Sequence, residues 1–208
     1  KSIILNEINS KSTYVLGQIQ NNMNNIISDI SNLGNEFMLN ETITVFSKNR
    51  SPINGDRRYD ASVISKLLNR YKLLHSGTSS ILDIYIYIPE LDFVLSTRTS
   101  TDTRSFYNMF FNNGDMSFDK WKNIVTSDKS IYEPVTSVSE SGNEVSTIMF
   151  TKPLSSLQQQ TNSYLVILVN SRSFIDKFER SYNDKSAHFY ILDSDNRLIC
   201  SSESNDLA

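Results

Sequence analysis

The sequence predicts an α+β fold in which a long N-terminal helix is followed by an antiparallel sheet with helices beside it. Apolar residues recur at helical spacing over residues 1–40, a stretch with almost no glycine or proline. Alternating β-branched and aromatic residues over 81–97 indicate a β-hairpin. Three further strand-like segments follow with short connections, at 131–138, 144–152 and 163–170. Short connections favour antiparallel pairing between neighbours in sequence.

An apolar stripe predicts the N-terminal helix. From Ile19 onward its members are four or three residues apart: Ile19, Met23, Ile26, Ile30, Leu33 and Phe37. A helix over residues 1–40 would be about 60 Å long at the α-helical rise per residue. In the domain scheme we assign residues 1–46 to it. Two interpretations remain open: an ordinary core helix or coiled coil, and a stalk that carries a signal along its axis.

The next segments are predicted from changes in periodicity. Residues 47–60 are polar and rich in turn formers, which predicts a loop. A shorter helix over 60–75 is expected to begin at Asp60 as N-cap and to end at His75-Ser76-Gly77. Strands Ile81–Ile88 and Phe93–Thr97 form the hairpin, with Pro89-Glu90-Leu91-Asp92 as its turn. Two short helices are predicted around Thr103–Phe111 and Phe118–Thr126.

The C-terminal part is predicted to hold a helix from Ser171 to about Tyr182 and a second hairpin over His188–Ser202. The hairpin turn is Asp193-Ser194-Asp195-Asn196. These oxygen-bearing residues resemble part of a calcium loop, but the glycine and the distant glutamate of an EF-hand are missing. We therefore predict a turn and no metal.

Composition restricts the function classes. With a net charge of −3 and scattered charges, the chain lacks the basic surface that nucleic-acid binding requires. Its two histidines, His75 and His188, lie far apart, and no G-x-S-x-G motif accompanies them, so we predict no enzymatic activity. The single cysteine, Cys200, permits neither a disulfide framework nor a cysteine-based zinc site. We predict no cofactor.

This order of elements resembles the double-Cache, PAS-like extracellular sensor domains of bacterial transmembrane histidine kinases and AraC-type regulators. The resemblance rests on the two hairpins, IYIYIPELDFVLS and FYILDSDNRLICSS, and on their place after a long helix. It implies a membrane-distal module over 47–172, a linker helix over 173–186 and the truncated start of a membrane-proximal module over 187–208. It also implies an extracytoplasmic location. Since the chain begins inside a helical pattern and ends after a strand, we expect membrane-spanning segments outside it.

In such sensors a small ligand binds between the sheet and the helical excursion, which corresponds to residues 98–132 here. Four residues of that region are the candidate ligand-binding residues: Arg98, Tyr107, Trp121 and Tyr132. Arginine can form a bidentate pair with a carboxylate, and the face of an aromatic ring can stack on a ligand. The simpler interpretation is that these aromatics form the core under the sheet.

Two functions remain open. The first is ligand sensing, in which a small molecule shifts a two-state equilibrium and moves the long helix. The second is a protein-interaction module that senses a partner or its own homodimerisation through the N-terminal helix. A pocket filled with side chains would favour the second.

Overall fold

A computed structural model of the chain describes residues 2–49, 51, 53, 55–79, 81–112, 116–127, 131–139, 142–154, 163–173, 176, 190–192 and 196–201. The helices are α1 Ser2–Leu39, α2 Glu41–Lys48, α3 Gly55–Ser79, α4 Thr103–Phe110 and α5 Phe118–Val125. The strands are β1 Ile81–Ile88, β2 Phe93–Ser96, β3 Ser100–Asp102, β4 Ile131–Val138, β5 Glu144–Pro153, β6 Tyr164–Asn170, β7 Tyr190–Leu192 and β8 Leu198–Ser201. They belong to two compact units, Ile30–Asn170 and Lys1–Asp29 with Ser171–Ala208.

The first unit contains a six-stranded antiparallel sheet in the order β3-β2-β1-β6-β5-β4. This confirms the predicted α+β class. The hairpin of β1 and β2, joined by a 3₁₀ turn over Pro89–Leu91, and the three later strands also lie where they were predicted. The short edge strand β3 was not predicted. Among the described helices, none is both long and apolar enough to cross a bilayer.

The break between α1 and α2 corrects one prediction. Asn40 has an extended backbone, and its side-chain Oδ1 accepts a hydrogen bond from the Ile43 N–H at 3.1 Å. Asn40 is thus the N-cap of α2, and the continuous helix proposed for residues 1–46 ends at Leu39. The buried residues of the stripe in this unit are Ile30, Leu33 and Phe37.

Helix α3 also differs from its prediction, since it begins at Gly55 rather than at Asp60 and continues past His75 to Ser79. Its first turn is held by Arg57, which is buried. The Arg57 guanidinium donates to the carbonyl of Phe46 at 2.8 Å and to that of Ser51, and lies 4.5 Å from the centre of the Phe46 ring. These contacts attach the start of α3 to α2. Because α3 already begins at Gly55, the loop is shorter than the predicted one over 47–60.

The two faces of the sheet carry different helices. Along β1, Tyr85 and Tyr87 belong to the core cluster that includes Phe106 of α4 and Trp121 of α5. Alternate residues of a strand point to opposite faces, so Ile84 and Ile86 lie on the other face, where α3 contacts β1. The sheet therefore has a buried core on each side.

The second unit contains the predicted C-terminal hairpin as the antiparallel pair β7 and β8, with Tyr190 opposite Ser201. Asn196, before β8, has a positive φ of 60°, a backbone conformation that asparagine tolerates well. Most of the predicted linker helix over 173–186 lies outside the described residues, and so do residues 193–195 of the predicted turn.

Candidate functional site

Helices α4 and α5 begin at side-chain caps that fix their position over the sheet. Asp102 Oδ1 accepts from the Ser105 N–H at 2.8 Å, and Ser117 Oγ accepts from the Lys120 N–H at 3.2 Å. Both helices direct aromatic residues onto the sheet. We call the resulting group the aromatic cluster, and its rings are those of Tyr85, Tyr87, Phe106, Tyr107, Phe111, Phe118 and Trp121.

Trp121 is the centre of the aromatic cluster. Its side chain is 0% exposed, and its ring centroid lies 5.6 Å from that of Tyr87 and 6.1 Å from that of Tyr107. The indole Nε1 donates to the Tyr85 hydroxyl at 3.3 Å, and burial raises the pKa of Tyr85 well above its usual value. A residue so completely enclosed acts as core in this conformation, not as the wall of an open cavity.

Tyr107 is buried beside Trp121. Its hydroxyl donates to the main-chain carbonyl of Met116, which lies in the segment between α4 and α5. Its ring also meets that of Phe118 edge-on, with centroids 5.2 Å apart. Tyr107 therefore joins the two helices of the excursion to each other, and its polar atom already has a partner.

Arg98 lies at one side of the aromatic cluster and is neutralised by a buried carboxylate. Its Nε is 3.1 Å from Asp83 Oδ2, its Nη1 donates to the Val138 carbonyl at 2.7 Å, and its guanidinium lies 4.9 Å from the centre of the Phe110 ring. Asp83 also accepts from the Thr97 hydroxyl. The ion pair thus connects β1, the β2–β3 loop and the end of β4.

Burial dominates the electrostatics of this ion pair. Loss of solvation raises the pKa of Asp83, whereas the hydrogen bond from Thr97 and the charge of Arg98 act in the opposite direction. The carboxylate is held in a dry environment that favours its neutral form, with a cation beside it that favours the charged form.

The structure does not bring Tyr132 to the same place. Tyr132 pairs with Phe150, and their rings meet edge-on at 5.0 Å, whereas the neighbouring Met149 belongs to the core with Trp121. Since alternate residues of a strand point in opposite directions, Tyr132 lies on the α3 side of the sheet. Tyr107 and Trp121 are in contact. The Arg98 guanidinium lies over the Phe110 ring, which packs against Phe106, and Phe106 in turn packs against Trp121. Tyr132 is separate from this group.

Sequence reasoning missed several polar groups on this face. Asp83 and Thr103 are buried, and the buried hydroxyls of Thr103 and Tyr87 interact but lack a hydrogen-bond partner of good geometry. Buried hydroxyls are usually hydrogen-bonded, so these two are exceptions among the polar groups of this face. The alternation of Asp83, Tyr85 and Tyr87 along one strand was the available signal, because it places all three on one face.

The described residues contain no group of three or more histidine, cysteine, aspartate or glutamate side chains that could hold a metal ion. The predicted turn residues Asp193, Ser194 and Asp195, and also His188, lie outside the described residues.

The fold is similar to that of bacterial sensory domains. The ligand-binding domain of the Campylobacter jejuni chemoreceptor Tlp3, solved with L-valine, matches with a TM-score of 0.53 at 11% identity, covering 97% of this chain and 73% of that one. A structure of the Tlp3 sensory domain with isoleucine bound gives the same values. The sensor domain of the V. cholerae histidine kinase DctB matches with a TM-score of 0.52 at 12% identity, covering 97% and 68%. No protein-family model and no curated protein matches the sequence.

These neighbours define the class of fold, which is that of PAS- and Cache-like sensor domains. Each is the sensory or ligand-binding domain of a chemoreceptor or a histidine kinase.

Proposed function

We propose that the chain is the ligand-sensing region of a bacterial transmembrane receptor, placed on the extracytoplasmic side of the membrane. The observation that supports this is the fold shared with the sensory domains of Tlp3 and DctB over 97% of the chain. The proposal includes membrane attachment through segments outside this chain, relay of the signal through α1, and an output region of the histidine kinase, AraC-type or chemoreceptor kind.

In this proposal the ligand binds between the sheet and helices α4 and α5. Because the Tlp3 structures contain L-valine and isoleucine, branched aliphatic amino acids are the first candidates. Arg98 would receive the ligand carboxylate in exchange for the Val138 carbonyl while its Nε stays paired with Asp83. Tyr107 and Trp121 would supply the apolar wall. Trp121 is fully enclosed, so binding requires α5 to move outward, which is a shift between two conformations.

Tryptophan fluorescence tests this proposal directly, since Trp121 is the chain's single tryptophan. Titration with L-valine, and then with a panel of amino acids, organic acids and sugars, is expected to change the emission and to raise the melting temperature. Arg98→Gln should abolish both responses to a carboxylate ligand. Arg70→Gln is the matched control, because Arg70 is exposed on α3, which packs on the other face of the sheet. If nothing in the panel moves either signal, small-molecule sensing by this site is rejected.

A second candidate is a protein-interaction or dimerisation module without a small ligand. The filled aromatic cluster favours it, because Trp121 leaves no open space at the place where a ligand would lie. Helix α1 would form the interface, and Leu16, which lies three residues before the start of the apolar stripe at Ile19, is 54% exposed.

Sedimentation velocity of the wild type and of Leu16→Asp separates the two candidates. Dimers that Leu16→Asp dissociates, and that Asn21→Asp leaves intact, would support the interaction module, since Asn21 is exposed on the far side of the same helix. A monomer at all concentrations would exclude homodimerisation through α1.

A further inference from the structure

A polar groove lies between α3 and the β2–β3 hairpin, and one of its lining residues, Arg98, also contacts Phe110 beside the aromatic cluster. Its volume is about 570 Å³, which falls within the usual range for small-molecule sites. Ile53, Ala61 and Phe93 contribute apolar lining, and the rest is polar. We call it the α3–β3 groove.

Hydroxyl groups dominate the polar lining. The β2–β3 segment reads Ser-Thr-Arg-Thr-Ser-Thr-Asp over residues 96–102, and α3 adds Ser62 and Ser65. The Ser65 and Ser100 hydroxyls lie 2.9 Å apart, so a hydrogen bond joins the helix to the strand at the groove. Within the described part of the chain the side chains of Ser62 and Thr99 have no hydrogen-bond partner, so both are available to a ligand.

The charges of the groove leave one cation without a partner. Arg98 is neutralised by Asp83. The carboxylate of Asp102 caps α4 through Oδ1 and accepts from Thr101 through Oδ2. Among the residues that the structure describes, the exposed guanidinium of Arg58 has neither a hydrogen bond nor an ion pair.

We propose that the α3–β3 groove binds a small hydroxylated carboxylate of the sugar-acid class. Arg58 receives the carboxylate in a bidentate pair, the hydroxyls of α3 and of the β2–β3 segment exchange hydrogen bonds with the ligand hydroxyls, and the apolar lining contacts its carbon face. The site goes beyond the proposed sensor function, because it lies on the α3 side of the sheet, takes its carboxylate on Arg58 instead of Arg98, and does not use Tyr107 or Trp121.

Isothermal titration calorimetry with D-glucuronate tests this assignment, with D-glucose as the neutral counterpart. The wild type should bind glucuronate and bind glucose at least tenfold more weakly, because a charge-assisted hydrogen bond to arginine is worth about one to two factors of ten. Arg58→Gln should lose about tenfold or more in affinity, and Arg58→Lys should lose less because the charge remains.

Arg70→Gln is the control, since Arg70 is exposed on α3 and does not line the groove. Circular dichroism checks that each variant is folded. The proposal is overturned if glucuronate does not bind, if glucose binds as tightly, or if Arg58→Gln retains wild-type affinity. Trp121 fluorescence with amino acids is recorded separately, so failure of this site and failure of the sensor proposal are distinguished.

Discussion

Lys152 illustrates, at the scale of single residues, how one side chain connects the sheet to α1. Its ammonium donates to the Ser31 carbonyl at 2.9 Å and to Asn35 Oδ1 at 3.1 Å. The lysine chain passes so close to Gly34 that a Cβ added there would lie 2.5 Å from Lys152 Cδ. Gly34 thus leaves the space that the Lys152 side chain occupies, and a larger residue there would force that flexible chain to shift.

Substitution of this glycine should reveal the contact. Gly17→Ala, in the same helix with open space around it, is expected to raise the free energy of unfolding by about 1 kcal/mol, the usual gain of alanine over glycine in a helix. Gly34→Ala should show no such gain, because Lys152 must move and lose its hydrogen bonds. In the Lys152→Ala background the gain should return. Equal effects of the two glycine substitutions in urea unfolding would contradict the role of Lys152.

The buried Asp83 gives a pH dependence of defined sign. Since burial raises its pKa in the folded state, the folded protein binds this proton more tightly than the unfolded chain does. The contribution of Asp83 to stability is therefore greatest in acid. It decreases as pH rises from the carboxyl's ordinary value through the raised one.

Urea unfolding of wild type and Asp83→Asn across that pH range isolates this contribution, because other carboxylates titrate alike in both proteins. The difference in unfolding free energy, wild type minus variant, should fall as pH rises. Asn40→Ala, which removes an uncharged side chain at the start of α2, should give a pH-independent difference. A difference that rises with pH would mean that Arg98 outweighs burial.

At the scale of secondary-structure elements, the start of α2 depends on one side chain. Asn40→Ala removes the acceptor of the Ile43 N–H and should cost about 1 kcal/mol of stability, the usual loss for an N-cap asparagine. Asn69→Ala is the control, because Asn69 is exposed in the middle of α3, where alanine is neutral or favourable. Thermal unfolding measures both. Similar melting temperatures for the two variants would argue that Asn40 does not cap α2.

Most helices and strands could be predicted from the local sequence pattern. Where the structure differs from the prediction, the cause is a contact with another helix or strand. Strands β1 and β4 have their predicted bounds, since alternation and turn residues mark both ends. The first turn of α3 was missed because Arg57 is held by Phe46, a partner that helical periodicity does not reveal. Strand β3 is defined by pairing of Phe93 with Asp102 rather than by apolar alternation.

The candidate site, like the set of helices and strands, could be predicted only in part from the sequence. The sequence placed aromatic residues of the excursion together, and Tyr107 and Trp121 do touch. Tyr132 was grouped with them because it is close in sequence, but the register of β4 against β5 puts it beside Phe150 on the other face. Asp83 was not selected because its partner, Arg98, is brought to it by the return of the hairpin.

For the whole molecule, the two units differ in how their strands are supported. In the larger unit β1 lies between β2 and β6, and β6 lies between β1 and β5, so these strands have partners on both sides. In the described part of the other unit, β7 and β8 pair only with each other. A two-stranded hairpin is marginally stable in water, whereas the central strands of a larger sheet open only when much of the unit unfolds.

Hydrogen–deuterium exchange measured by mass spectrometry should show this difference in one experiment. Peptides from β7 and β8 are expected to exchange through local opening, long before peptides from β1 and β6. The edge strand β3, which is hydrogen-bonded on one side only, should be intermediate and is the internal reference for an incompletely paired strand.

Denaturant well below the unfolding midpoint should accelerate exchange in β1 and β6 while leaving β7 and β8 nearly unchanged, because global opening depends on denaturant and local fraying does not. Protection of β7 and β8 equal to that of β1 would contradict this expectation and would mean that the hairpin unfolds cooperatively with the sheet.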